Sequence, residues 1–219
     1  MTRFLLSLLL GAMLVFGAYA THAAVVGLPN AEKVEAPAKK TEVAVIPDRI
    51  MGKVDAPITV EEYVSLTCSH CADFYNKVLP ELEKKYLETG KVRFILRDYP
   101  LDGVALKASQ LARCMPPEQF YPFVKVLYKN LEGWALSKEP EKALMQYAML
   151  GGLSSEKATA CLEDKALQEA LINQRMAAMN SPGIQSTPTF VINGSEIIKG
   201  TQPVETYTKL FDKLLAEKH

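Results

Sequence analysis

Cys68-Ser69-His70-Cys71 sets two thiols three positions apart with a histidine between them. Two cysteines so spaced at a helix start can close a disulfide. The first of them sits where unpaired backbone N–H groups point outward. Those dipoles stabilise a thiolate and lower its pKa. The thiolate is the attacking species in disulfide exchange and also a good leaving group, and stabilising it makes the disulfide more oxidising. His70 can add positive charge or a hydrogen bond to the same thiolate. The same two residues would also serve as an inert disulfide or as half of a metal site. Their place at a strand-to-helix turn, the intervening histidine and the absence of a second C-x-x-C favour redox catalysis.

Other chemistries have little material. The three histidines are His22, His70 and His219, and only His70 belongs to the folded body. A zinc site of several histidines, or a hydrolase with a distant histidine base, is therefore not expected. The 25 basic and 25 acidic residues cancel, so no basic face for nucleic acid is indicated. Trp134 follows Gly133 in a helix-linking loop and reads as a packing residue. Lys84-Lys85 and Lys39-Lys40 read as solvated charges.

The elements that must hold the cysteines follow from periodicity. Ile58 to Leu66 is rich in β-branched and aromatic residues and predicts a strand. Phe74, Val78, Leu82 and Tyr86 mark a helical stripe over Ser69 to Glu88, with Pro80 expected to kink it. Val92 to Leu96 predicts a second strand, which completes a βαβ unit with Cys68 at its turn. Five helices are expected next: Ala105–Met115, Phe120–Leu131 with Pro122 in its first turn, Glu139–Leu150, one opened by Ser154 as N-cap, and Lys165–Met179. Thr189–Ile192, the turn Asn193-Gly194 and Glu196–Lys199 predict a hairpin. A closing helix, with Pro203 in its first turn, carries Val204, Tyr207, Phe211 and Leu214 on one face.

The N-terminus reads as an export signal: Arg3, an apolar run from Phe4 to Phe16, then small residues at Ala18 and Ala20. The run is shorter than the ~20 residues of a spanning helix, which favours cleavage over a membrane tether. Residues 1–24 are assigned to the signal, 25–49 to a polar, Pro-interrupted linker and 50–219 to the folded domain. Export permits disulfides.

From about Met51 onward the chain resembles the thioredoxin superfamily, and within it the DsbA-type oxidoreductases. The resemblance rests on Gly52-x-x-Asp55-Ala56-Pro57, the C-x-H-C tetrapeptide, Thr187-Pro188-Thr189-Phe190 and the helical block between the two halves. It implies an α/β thioredoxin fold with an all-helical insertion at about 101–165. One departure is Ser69, where many DsbA proteins carry proline, a position that helps set the potential. The resemblance further implies a cis bond at Thr187-Pro188 beside the cysteines, with the adjacent backbone pairing with bound peptide. The alternative is an ordinary trans proline opening a strand.

Glu62 shares strand parity with Val64 and Leu66, so it either points into the core beneath the cysteines or is solvated like Glu61. In DsbA-type proteins an acid six residues before the first cysteine looks like a proton acceptor for the second. Cys114 and Cys161 fall on different expected helices. They are read as a structural disulfide, as some DsbA-like proteins have, in preference to two buried thiols.

The resulting expectation is an exported, periplasmic dithiol oxidase. It would act on cysteine-containing exported polypeptides as a monomer, be reoxidised by a DsbB-type membrane partner, and need no metal or other cofactor. The rivals are an isomerase or reductase of the same fold, and a non-enzymatic metal or peptide carrier using the two thiolates.

Overall fold

The computed structural model describes residues 45–217. The signal assigned to 1–24, and the linker up to residue 44, lie outside the described residues. Five strands form one sheet in the order β1-β3-β2-β4-β5, comprising β1 (Ile50–Met51), β2 (Ile58–Val64), β3 (Val92–Asp98), β4 (Thr189–Ile192) and β5 (Glu196–Lys199). β2 and β3 run parallel, which demands a crossover, and the other pairings are antiparallel. The short edge strand β1 was not foreseen. β2 ends two residues before the expected Leu66, because residues 65–68 turn into the helix with the Cys68 N–H donating to Ser65 O at 3.0 Å.

The crossover is the helical run 69–87. It begins as α1 (Ser69–Asp73), widens into a π-helical stretch (Phe74–Val78), tightens to α2 (Leu79–Leu82) and widens again (Glu83–Leu87). Phe74, Val78, Leu82 and Tyr86 all face the core. A strict four-residue stripe drifts by about 40° per step on an ideal α-helix, and the wider turns take up that drift. Pro80 stands in the first turn of α2, where its missing N–H costs least.

Six helices lie between β3 and β4 where five were expected: α3 (Gly103–Cys114), α4 (Pro117–Lys129), α5 (Leu131–Ala135), α6 (Pro140–Leu150), α7 (Ser155–Glu163) and α8 (Lys165–Met179). The additional one, α5, carries Trp134, placed by sequence in a loop. Its indole is fully buried and donates to Leu127 O at 2.8 Å, so packing is its role. Pro122 lies inside α4 and not in its first turn, because Pro117 already occupies the helix start. Ser154 does cap α7, accepting from the Lys157 N–H. The last helix, α9 (Val204–Ala216), begins after Pro203, which is its cap residue and lies outside the first turn.

One face of the sheet meets the 69–87 run and α9. There Phe74 packs on Phe190 at 4.5 Å between ring centroids, and Tyr207 packs on Phe190 at 5.3 Å. The other face carries Tyr99, Ile184 and Val191 against Ala178 of α8. A buried ion pair ties α3 to the sheet: Arg113 reaches Asp98 Oδ2 at 2.7 Å and donates to Leu96 O at 2.9 Å. Among the described residues, no helix is long and apolar enough to cross a membrane.

Candidate active site

The strand-to-helix turn that begins at Ser65 places Cys68 at the head of α1. Its backbone is extended (φ −81°, ψ 119°), the conformation of an N-cap residue, and its carbonyl accepts from the Ala72 N–H at 3.1 Å. The turn is fixed from the side. Thr67 Oγ1 donates to Asp102 Oδ2 at 2.7 Å, while Asp102 Oδ1 accepts from the Ala105 N–H and caps α3. One carboxylate therefore joins the cysteine turn to the helical block.

Cys68 and Cys71 are both buried and carry free thiols. Their environments push them apart. The Cys71 thiol, then the Thr187 hydroxyl and the backbone N–H groups of Cys71 and His70, stabilise the Cys68 thiolate against burial and bring it down to about 5. Cys71 is driven the other way, by burial first and then by the nearby Cys68 sulfur, to well above the ordinary thiol value. At neutral pH the pair holds one thiolate and one thiol, which suits attack and departure at Cys68.

Thr187-Pro188 is a cis peptide bond. It faces the cysteines: Cys68 Sγ lies 3.5 Å from Thr187 O, and the buried Thr187 side chain favours the thiolate form of both sulfurs. His70 is exposed. Its main-chain N–H is among the groups that stabilise the Cys68 thiolate. Its carbonyl accepts from Thr201 Oγ1, which links the cysteine turn to the β5–α9 loop.

Glu62 is fully buried on the core face of β2, in line with Val60 and Val64. Burial is the main reason its carboxyl rises to about 8. A hydrogen bond from the Tyr75 hydroxyl, 2.7 Å from Oε1, opposes that rise. Cys114 and Cys161 are joined as a disulfide between α3 and α7, 47 positions apart in sequence. Among the described residues no group of three or more His, Cys, Asp or Glu could hold a metal ion.

The sequence reading missed three residues. Asp102 had a signal, being an N-cap type of residue just before the α3 helix. Tyr75 follows Cys71 by four positions and so shares its helix face. Nothing local marked Tyr128, which arrives from α4 and donates to Ser65 O at 3.1 Å.

A βαβ–helical block–ββα chain with a dithiol at the first strand-to-helix turn and a cis-proline facing it defines a thioredoxin-fold redox site. Comparison with known proteins agrees. A family model described as Thioredoxin matches residues 44–213. The crystal structure of alpha-DsbA1 from Wolbachia pipientis superposes with a TM-score of 0.73 at 30% identity, covering 80% of this chain and 94% of that one. Disulfide bond formation protein D of Bacillus subtilis is 25% identical over 181 residues, 77% of this chain and 78% of its own. A Rickettsia felis protein, provisionally named a protein-disulfide oxidoreductase, is 31% identical over 172 residues, 78% of this chain. The chain spans only 61% of that relative's length. The chain belongs to the thioredoxin superfamily and, within it, to the DsbA-type proteins.

Proposed function

We propose that this protein is an exported thiol–disulfide oxidoreductase that donates its Cys68–Cys71 disulfide to cysteine-containing polypeptides in the periplasm. The observation that carries the reading is the opposite displacement of the two thiols, Cys68 down to about 5 and Cys71 far up. A substrate thiolate attacks Cys68, and Cys71 leaves and takes up a proton. A second substrate thiol then displaces Cys68, whose stabilised thiolate is the better leaving group. The backbone at Thr187-Pro188 would pair with the bound peptide, and the exposed His70 ring would add positive charge or a hydrogen bond beside the Cys68 thiolate. Glu62 would exchange a proton with Cys71. Residues 1–24 would direct export and 25–49 act as a linker, while the helices within about 101–165 are the insertion in a 50–219 domain. The protein would work as a monomer, with a DsbB-type membrane partner restoring the disulfide. The thiols carry the electrons, so no cofactor is invoked.

The reduction potential decides between the readings. Reference values are about −120 mV for DsbA and about −270 mV for thioredoxin. Equilibration with glutathione is expected to give a value toward the first. A value near the second would replace oxidase by reductase or isomerase. Copurifying zinc or copper, with no thiol exchange, would favour the carrier.

A further inference from the structure

Two buried tyrosines lie alongside Glu62 and Cys71, and the thiol chemistry above gives them no part. Tyr75 follows Cys71 by one turn, and Tyr128 comes from α4. Their rings pack at 4.5 Å between centroids. The Tyr75 hydroxyl donates to Glu62 Oε1 at 2.7 Å, whereas Glu62 Oε2 is buried without a partner. The Tyr128 hydroxyl donates to Ser65 O at 3.1 Å and also faces the Cys71 sulfur. Burying two hydroxyls is costly where phenylalanine would fill the same space. The Tyr75 hydroxyl ends on the Glu62 carboxylate, and the Tyr128 hydroxyl on the carbonyl of Ser65, whose main chain also contacts the Cys71 sulfur.

We propose that Tyr75 and Tyr128 are positioning residues that hold Glu62 and Cys71 in register for transfer of one proton between them. This rests on reading Cys68 and Cys71 as the redox pair. Consider Cys68 held in a mixed disulfide. The Cys71 thiol gives its proton to the Glu62 carboxylate, and its sulfur attacks Cys68 Sγ. The bond from Cys68 to the outer sulfur breaks, and that sulfur departs as a thiolate with the electron pair. Run backwards, protonated Glu62 returns the proton to Cys71.

The surroundings let Glu62 dominate the pH profile of this step. It is faced by Tyr75, by Tyr121 and Tyr128 of α4, by Tyr207 of α9, and by the Glu83–Lys125 ion pair. All four tyrosines are pushed up by burial and stay neutral, and the ion-pair charges act on Glu62 with opposite sign. Cys71 is faced by Cys68, Ser65, Thr187 and Tyr128.

The test uses the protein with Cys68 linked to glutathione and follows glutathione release across pH. Wild type is expected to inflect near the Glu62 value of about 8. Tyr75→Phe removes a donor to the carboxylate, so the inflection should move up by about one pH unit. Tyr128→Phe should slow release about tenfold at every pH, a fraction of what general acid–base catalysis supplies. Both effects should vanish in a Glu62→Gln background. Equal effects of either variant with and without Glu62, or profiles identical to wild type, would overturn the proposal. Each tyrosine tests it independently should the other variant fail to fold. The assay needs no protein substrate, so failure to oxidise exported polypeptides would leave its outcome intact.

Discussion

Arg113 and Asp98 form an ion pair with both side chains almost wholly removed from solvent, their nearest atoms 2.7 Å apart. Arg113 also donates to Leu96 O and Pro47 O, so one guanidinium joins α3, β3 and the segment leading to β1. Taking away one partner strands the other charge in the core. Asp98→Asn and Arg113→Met are each expected to destabilise the fold by about 3–5 kcal/mol, measured by urea unfolding. A loss under 1 kcal/mol for both would mean that water reaches the pair.

The thiolate assignment has a direct readout. In the dithiol form, thiolate absorbance at 240 nm should rise with a midpoint at about 5 against an ordinary 9.0. Thr187→Val, which deletes one of the stabilising groups, should raise that midpoint. The sign of the stability effect follows. For a depressed group the contribution is complete above the unfolded value, shrinks as pH falls from 9 toward 5, and is absent below 5. The dithiol form should therefore gain stability over the disulfide form between pH 5 and pH 8. Parallel unfolding curves for the two forms across that range would refute the assignment.

The Cys114–Cys161 bridge closes a loop of 47 positions. Replacing both cysteines by alanine is expected to cost about 2–4 kcal/mol and to lower the urea midpoint. Neither cysteine is among the groups that set the Cys68 and Cys71 thiols, so the Cys68 midpoint should stay where it is. Movement of that midpoint would show that the helical block transmits strain to the cysteine turn.

The legible parts of this fold are those written in local pattern. The C-x-x-C at a strand end, the Thr-Pro before a strand, the Asn-Gly hairpin turn and the limits of α8 each depend on residues a few positions apart. Glu62 was half legible: alternation left the core face of β2 and a solvated position both open, and its partner Tyr75 sits on the next element. Arg113 looked like any charged helix residue until β3 brought Asp98 to it across 15 positions. The main-chain N–H of His70, common to every residue type, also stabilises the sulfur, and no side-chain pattern could mark it. Pro122 and Pro203 show a related limit. Each was assigned to a first turn, yet the presence of a neighbouring proline in one case, and one residue of offset in the other, moved it elsewhere.

The unlike thiols also fix the proton stoichiometry of the half-reaction. At neutral pH, reduction of the Cys68–Cys71 bond takes up two electrons but a single proton, since Cys68 remains ionised while Cys71 keeps its hydrogen. The potential of such a couple changes by about 30 mV per pH unit, half the slope of a pair that binds two protons. Acidification of the surrounding compartment therefore makes this disulfide a stronger oxidant only half as steeply as it would one formed from two ordinary thiols.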